Sequence, residues 1–254
     1  MKWMERKYQV GNVVEKIVGM VGNNTKPRKK RKKGATTERQ FERNDRMATR
    51  RVQRIIAANF RPGDMLLTLN YSPEHLPGSR KEADKDAENL IDRARRVMKK
   101  EGIECKWILV TTEVDGETGE IVRLHHHIIM PRLAYEVICE KWTKGSVDYQ
   151  LLKHQPDFTA LAVYLLKQAR REPDAKKYRC SRNLCHPAPV GERIVKPGHQ
   201  PWIPRGAVVL ERSEYTQESP CQYVRYLLPD KPNGRGSPPE TRRKNRKEKK
   251  KNGE

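Results

Sequence analysis

The groups best suited to chemistry lie in and around Arg123-Leu124-His125-His126-His127-Ile128-Ile129-Met130. Read as a β-strand, this run sends successive side chains to opposite faces, so His125 and His127 share a face with Ile129 while His126 points away with Ile128. Two imidazoles two residues apart on a rigid strand can chelate one divalent ion. Glu113 ends the apolar stretch before them, and a hairpin brings a carboxylate from that position towards the pair. Two nitrogens and a hard oxygen suit Mg²⁺ or Mn²⁺ in an open site, and can also hold Zn²⁺. Further on, Tyr164 and Lys167 are three residues apart in a helical stretch and so lie on one side of it. A phenol ordinarily titrates near 10 and attacks poorly at neutral pH, but a neighbouring cation stabilises its phenolate. Such a set can attack a phosphodiester, with the metal polarising the phosphate and the lysine neutralising its charge.

Each member has a plainer reading when taken alone. A His-x-His is often a polar strand end, a tyrosine on a helix a boundary aromatic, a lysine a surface charge. Their order along the chain is what sets them together.

The elements that must position these groups follow from pattern and punctuation. An apolar pattern at Val10, Val13, Val14, Ile17 and Val18 has helical spacing and predicts a short helix within residues 1–25. Residues 36–58 read as a basic helix that Phe60-Arg61-Pro62-Gly63 stops. Asp64–Asn70 is short and apolar, a buried strand. Residues 80–101 carry Ala83, Ala87, Leu90, Ile91, Ala94 and Met98 at helical spacing, with Gly102 to close. Cys105–Glu113 and 121–130 are strands joined through Asp115-Gly116, hence antiparallel neighbours. A short helix at Ala134–Trp142, a strand at 145–152 and a helix from Asp157 through Arg170/Arg171 come next. After a Pro/Gly-rich crossing (187–206), two more strands are expected at Ala207–Tyr215 and Gln222–Leu228. The order predicts an α+β fold, a central antiparallel sheet of about five strands with helices packed on it. The chain divides into a partly helical basic extension (1–58), a core domain (59–228) and a disordered basic tail (229–254).

Charge narrows the partner. Lys and Arg number 54 against 32 Asp and Glu, a formal net charge of +22. A surplus of that size points to a polyanion, nucleic acid first. Lys26–Lys33 is a block of like charge, so Lys29, Lys30 and Arg31 are candidate phosphate contacts, with Arg50 and Arg51 on the following helix. No apolar run is long enough to span a bilayer and no secretory pattern opens the sequence, so a cytoplasmic protein with no membrane partner is expected. Five irregularly spaced cysteines fit reduced thiols in that setting. Cys180, Cys185 and His186 depart from common zinc spacings.

The histidine triplet with apolar residues after it, and Tyr164-x-x-Lys167 downstream, resembles the HUH endonuclease superfamily. Within it the chain is similar to rolling-circle replication initiators of the group that includes the filamentous-phage gene II protein. The likeness extends over residues 60–228, taking in Leu66-Leu67-Thr68-Leu69, Trp142…Gly145 and Arg179-Cys180-Ser181-Arg182-Asn183-Leu184. It implies a metal-dependent nick in single-stranded DNA at a replication origin, with a 5′-phosphotyrosyl link and a free 3′-OH. It also implies roles: Tyr164 as nucleophile, Lys167 as supporting cation, His125, His127 and Glu113 as ligands of Mg²⁺ or Mn²⁺. Arg179 and Arg182 become candidate DNA contacts. The middle triplet position, apolar in that superfamily, holds His126 here. A single tyrosine in the motif implies that strand transfer is completed by another subunit or a second round. No Gly-Lys-Thr/Ser phosphate loop is present, so unwinding falls to a host helicase. A relaxase or transposase of the same superfamily, or a non-catalytic nucleic-acid-binding protein, are the alternatives.

Overall fold

In a computed structural model of the chain, the described residues are 2–22, 37–115, 117–155, 157–169, 176–216 and 221–229. The architecture is α+β, with two five-stranded antiparallel sheets and four helices among the described residues. The first sheet comprises β3 (Met65–Asn70), β4 (Ile108–Val114), β5 (Ile121–Met130), β6 (Val147–Leu151) and β7 (Arg179–Cys180), in the order β6-β3-β5-β4-β7. The histidine strand β5 is therefore central, hydrogen-bonded on both sides.

Helices α2 (Arg80–Lys100) and α3 (Tyr135–Lys141) cover one face of this sheet, and α1 (Glu38–Asn59) and α4 (Thr159–Lys167) the other. Alternation sorts the strands between two cores. Leu67 and Leu69 of β3, Leu109 of β4 and Ile128 and Met130 of β5 meet Leu90, Ile91 and Met98 of α2. Leu66, Ile108, Val110 and Ile129 meet Val52, Ile55 and Ile56 of α1 and Leu165 and Leu166 of α4. The helix starts are set locally. Thr37 accepts from the Gln40 N–H, and Ser79 accepts from the Glu82 N–H while the Glu82 carboxylate accepts from Gly78 N–H.

The second sheet corrects two expectations. Residues 10–18 are not helical: β1 (Lys2–Val10) and β2 (Val13–Val21) form a hairpin about Gly11 and Asn12. Val13, Val14, Ile17 and Val18 are β-branched and favour strand, and a two-residue turn with Gly11 at φ +57° lets the chain reverse. This hairpin joins β8 (Gly191–Val195), β9 (Val208–Ser213) and β10 (Cys221–Leu227) in the order β8-β1-β2-β10-β9. The two strands expected near the C-terminal end therefore form, but in a sheet separate from the histidine strand. Part of the Pro/Gly-rich crossing is β8. Helix α4 also ends earlier than Arg170, because Ala169 forms an antiparallel bridge with Thr112 of β4.

α1 joins the two sheets through two unlike faces. Its apolar stripe packs on the first sheet, and its buried polar residues Arg50, Gln53 and Arg54 face the second. The Arg54 guanidinium lies 2.6 Å from Glu15 of β2, and Arg50 stacks 3.3 Å above the Tyr223 ring while pairing with Glu211 at 3.1 Å. Arg225 of β10 pairs with Asp157 at 3.2 Å and donates to Gln53 at 2.8 Å. Burial raises the Glu15 carboxyl in spite of Arg54 beside it.

One close approach fixes where β6 enters. Asn70 N–H donates to the Ser146 carbonyl and Ser72 N–H to that of Lys144, so the chain at Gly145 runs against β3. A Cβ on Gly145 would stand 2.1 Å from the Asn70 carbonyl oxygen. Gly145→Ala should cost about 2 kcal/mol or more and lower the thermal midpoint by about 5 °C. Gly11→Ala, with nothing within 4 Å of its Cβ, should cost only about 1 kcal/mol. Thermal unfolding of both variants checks this, and a Gly145→Ala midpoint no lower than that of Gly11→Ala would contradict it.

Candidate catalytic site

The register of β5 decides which groups meet. Thr68 pairs with His127 and Asn70 with His125 across β3, while Val110 pairs with His127 and Thr112 with His125 across β4. His125 and His127 point to the α1/α4 side with their ring centroids 5.0 Å apart and the planes near perpendicular. Tyr164 lies over them from α4, its ring centroid 5.4 Å from that of His127, and is 45% exposed. Buried Ala162, Leu165 and Leu166 anchor α4 to the sheet, which leaves Tyr164 and Lys167 on its accessible side.

Hydrogen bonds fix the imidazoles. His125 Nδ1 stands 2.8 Å from the Arg123 carbonyl, which can only accept, so Nδ1 carries the proton and the Nε2 lone pair is left available. His127 is held at both nitrogens, Nδ1 by the Thr68 hydroxyl at 3.2 Å and Nε2 by Gln168 Oε1 at 2.9 Å. A hydroxyl can donate or accept, so Thr68 serves either tautomer of His127. Thr112 adds a 3.4 Å donor to the same Gln168 oxygen, and the Thr112–Ala169 bridge pins this end of α4 over β4. Burial pulls the His127 pKa down to about 4, the neighbouring His125 adding to it and the Gln168 hydrogen bond opposing it. The ring is neutral at pH 7, the form that binds metals.

His126 does different work. It is wholly buried on the α2/α3 side, among Tyr71, Trp142 and α2. Thr111 donates to Asp84 Oδ1 at 2.8 Å, so its oxygen must accept from His126 Nδ1 at 3.0 Å. Nε2 then accepts from the Tyr71 hydroxyl at 2.9 Å. Both ring nitrogens are satisfied, which is how a histidine occupies a position that otherwise suits an aliphatic residue. Burial lowers its pKa to about 4.

Glu113 is not brought to the histidine pair. Thr112, one residue earlier, is opposite His125, and the Glu113 carboxylate lies 3.2 Å from Arg80 of α2, on the His126 side. No group of three or more His, Cys, Asp or Glu able to hold a metal occurs among the described residues. The donors that do converge are His125, His127 and Gln168, two imidazoles and a carboxamide oxygen. Gln168 follows Tyr164 by four residues, a helical neighbour spacing that could have singled it out. Asn70, which donates to Asp148 at 2.7 Å, is a further polar group of this face that pattern alone did not pick out.

The basic candidates separate. Arg50 is buried in the contact between α1 and the second sheet, and Arg51 is exposed. Arg179 pairs with Asp84 and Glu88 of α2, and Arg182 lines a surface hollow with Asp92, Arg95 and Lys99, so both lie towards α2 rather than Tyr164. Lys29, Lys30, Arg31 and the tail from residue 230 lie outside the described residues.

With this arrangement in view, the sequence comparisons are specific. Residues 64–172 match the family model of the replication-associated protein ORF2. That segment runs from β3 through α4 and contains the histidine pair, Tyr164, Lys167 and Gln168; the second sheet lies outside it. This part of the chain is thus similar to replication-associated proteins of the rolling-circle type. Comparison with curated proteins and with solved structures gives no match. Among the described residues no helix is long and apolar enough to cross a membrane.

The buried histidines carry a pH signature. The unfolded chain protonates a histidine near 6.5, whereas the native fold keeps His126 and His127 neutral to about 4. Stability present above pH 6.5 is therefore lost as the pH falls from 6.5 towards 4. In EDTA, His126→Gln should show about half the wild-type decline in thermal midpoint between pH 7 and 5, since one of two such groups is removed. Equal declines would contradict the assignment.

Proposed function

We propose that this chain initiates replication by nicking single-stranded DNA at an origin, with Tyr164 as the nucleophile. The observation that carries the reading is Tyr164, exposed and 5.4 Å from His127 on the face His125 shares. The similarity of residues 64–172 to a replication-associated family supports it.

The Tyr164 hydroxyl oxygen attacks the phosphorus of a phosphodiester. The new bond is a 5′-phosphotyrosyl ester, the P–O3′ bond breaks, and the 3′ oxygen leaves as a hydroxyl after taking a proton. The phenolic proton is lost to water, which reaches this exposed side chain. Lys167, one helical turn on, neutralises charge gathering on the phosphate and the phenolate. A second 3′-OH attacking the phosphotyrosine reverses the step and joins strands, so the bond energy is conserved for religation. A divalent cation, Mn²⁺ or Mg²⁺, would be held by His125, His127 and Gln168 and would supply Lewis-acid polarisation of the phosphate. The donor set fits such an ion: His125 has its Nε2 lone pair available, and Thr68 can hold His127 in the tautomer that frees Nε2. Gln168 takes the place that spacing assigns to Glu113. A host helicase is the partner that would unwind the duplex ahead of the free 3′ end.

The test uses single-stranded oligonucleotides tiled across the replicon's own DNA, incubated with Mn²⁺ and resolved on denaturing gels. Wild type should form a protein–DNA adduct that EDTA prevents and Tyr164→Phe abolishes. Gln168→Ala should slow its formation about ten- to hundredfold, while Glu113→Gln stays within about twofold. An adduct that survives Tyr164→Phe would refute the nucleophile. Binding with no adduct on any oligonucleotide would favour a non-catalytic nucleic-acid-binding protein.

A further inference from the structure

The second sheet lies outside the segment matched to the replication-associated family, and the reading above gives it no role. Two grooves meet on α1 where that sheet packs. One, of about 140 Å³, lies between the β1–β2 hairpin and the first half of α1; Arg6, Arg43 and Arg46 stand along it with Met20, Met47 and Tyr8. The other, of about 320 Å³, continues past Arg46 and Arg50 to Thr159, Val163 and Lys167 of α4. Arg46 and Arg50 line both, so the two form one trough. It begins on the second sheet and ends beside Tyr164, the neighbour of Val163.

The chemistry of this trough is that of a nucleic-acid backbone with unpaired bases. Among the described residues no carboxylate lines the hairpin half. Arg43 and Arg46 follow each other by about one helical turn and both are exposed. The Glu42 partner of Arg46, at 3.7 Å, is itself exposed, so water screens the pair and a phosphate can displace it. In the α4 half the acids are already engaged, Asp45 with Lys177 at 2.5 Å and Glu211 with Arg50 and Arg225. Met20 and Met47 are 48% and 44% exposed, an apolar floor amid arginines. A duplex hides its base faces and would leave that floor uncovered, whereas a single strand can lay bases on it while its phosphates meet the guanidiniums.

We propose that this trough is a second binding site, which holds the single-stranded DNA on one side of the scissile phosphate and leads it from Tyr164 across α1 onto the second sheet. The direction of the strand follows from the trough's end at Lys167, and the proposal rests on the reading of Tyr164 as the nicking residue. Arg50 is the strut beneath the trough, held by Tyr223 and Glu211, and the exposed Arg43 and Arg46 make the contacts.

Fluorescence anisotropy in EDTA, on the full chain carrying Tyr164→Phe, measures binding without cleavage. The probe is oligothymidine of about 16 nucleotides, a length within the range one such platform covers. Arg43→Ala/Arg46→Ala should weaken binding at least about tenfold. It should also flatten the log–log salt slope by about 1.4, or about 0.7 for each single-strand phosphate no longer neutralised. Lys99→Ala/Lys100→Ala, two cations at the far end of α2, should change neither. Unchanged affinity and slope in the arginine variant, or an equal loss in the lysine variant, would overturn the trough. So would a duplex of equal length bound as tightly as the single strand. The failures separate cleanly. An adduct that forms at Tyr164 while the arginine variant binds normally removes the trough and leaves the nickase; trough binding without an adduct on any substrate removes the nickase.

Discussion

The structure depends on the pairing register of β5, the central strand of the first sheet. Backbone hydrogen bonds to β3 on one side and β4 on the other fix it, and the pleat then assigns each histidine a face. His125 and His127 fall under α4 with Tyr164 and Gln168; His126 falls under α2 with Tyr71, Thr111 and Asp84. A slip by one residue would bury two imidazoles in the wrong core and turn one alone towards the tyrosine. Ile128, Ile129 and Met130 oppose such a slip, since each is wholly buried in the core its parity selects. Aliphatic packing at one end of the strand thus holds the chemistry at the other.

Three adjacent histidines do two kinds of work for this reason. The outer pair has its nitrogens turned to groups that can reorient, a threonine hydroxyl and a side-chain amide. The middle one is locked in a chain from Tyr71 through Thr111 to Asp84 in which every proton has a defined direction. The same division recurs in α1. Its apolar stripe seals the sheet beneath Tyr164, its buried arginines fasten the second sheet, and its exposed arginines are left to meet a ligand.

Much of the histidine sheet was legible in the sequence, because its signals are local. The bounds of β5 follow from a turn before it and Pro131 after it, and α2 declares itself through Ser79, Glu82 and an unbroken inner stripe. The Tyr164–Lys167 pair was legible as helical spacing. The second sheet was not, since its strands come from both ends of the chain and their pairing is non-local. Val10, Val13, Val14, Ile17 and Val18 fit a helix by spacing, and only their β-branching and the Gly11-Asn12 turn spoke for strand. β8 is short and largely exposed, so no alternation marks it. Glu113 was misplaced by one residue of register: composition shows a carboxylate near a histidine strand, but pairing puts Thr112 opposite His125. Gln168 was missed because a neutral amide draws no notice until a fold sets it 2.9 Å from an imidazole.

The proposed chemistry stands or falls on one face of β5 and the end of α4 acting together as the metal-binding side of the sheet. Crystals of the metal-free protein soaked in Mn²⁺, with anomalous scattering measured, test this without reference to activity. One ordered peak is expected among His125, His127 and Gln168, and Gln168→Ala should abolish it. A peak against Glu113 and Arg80 on the α2 side, or none near the histidine pair at saturating Mn²⁺, would contradict that assignment.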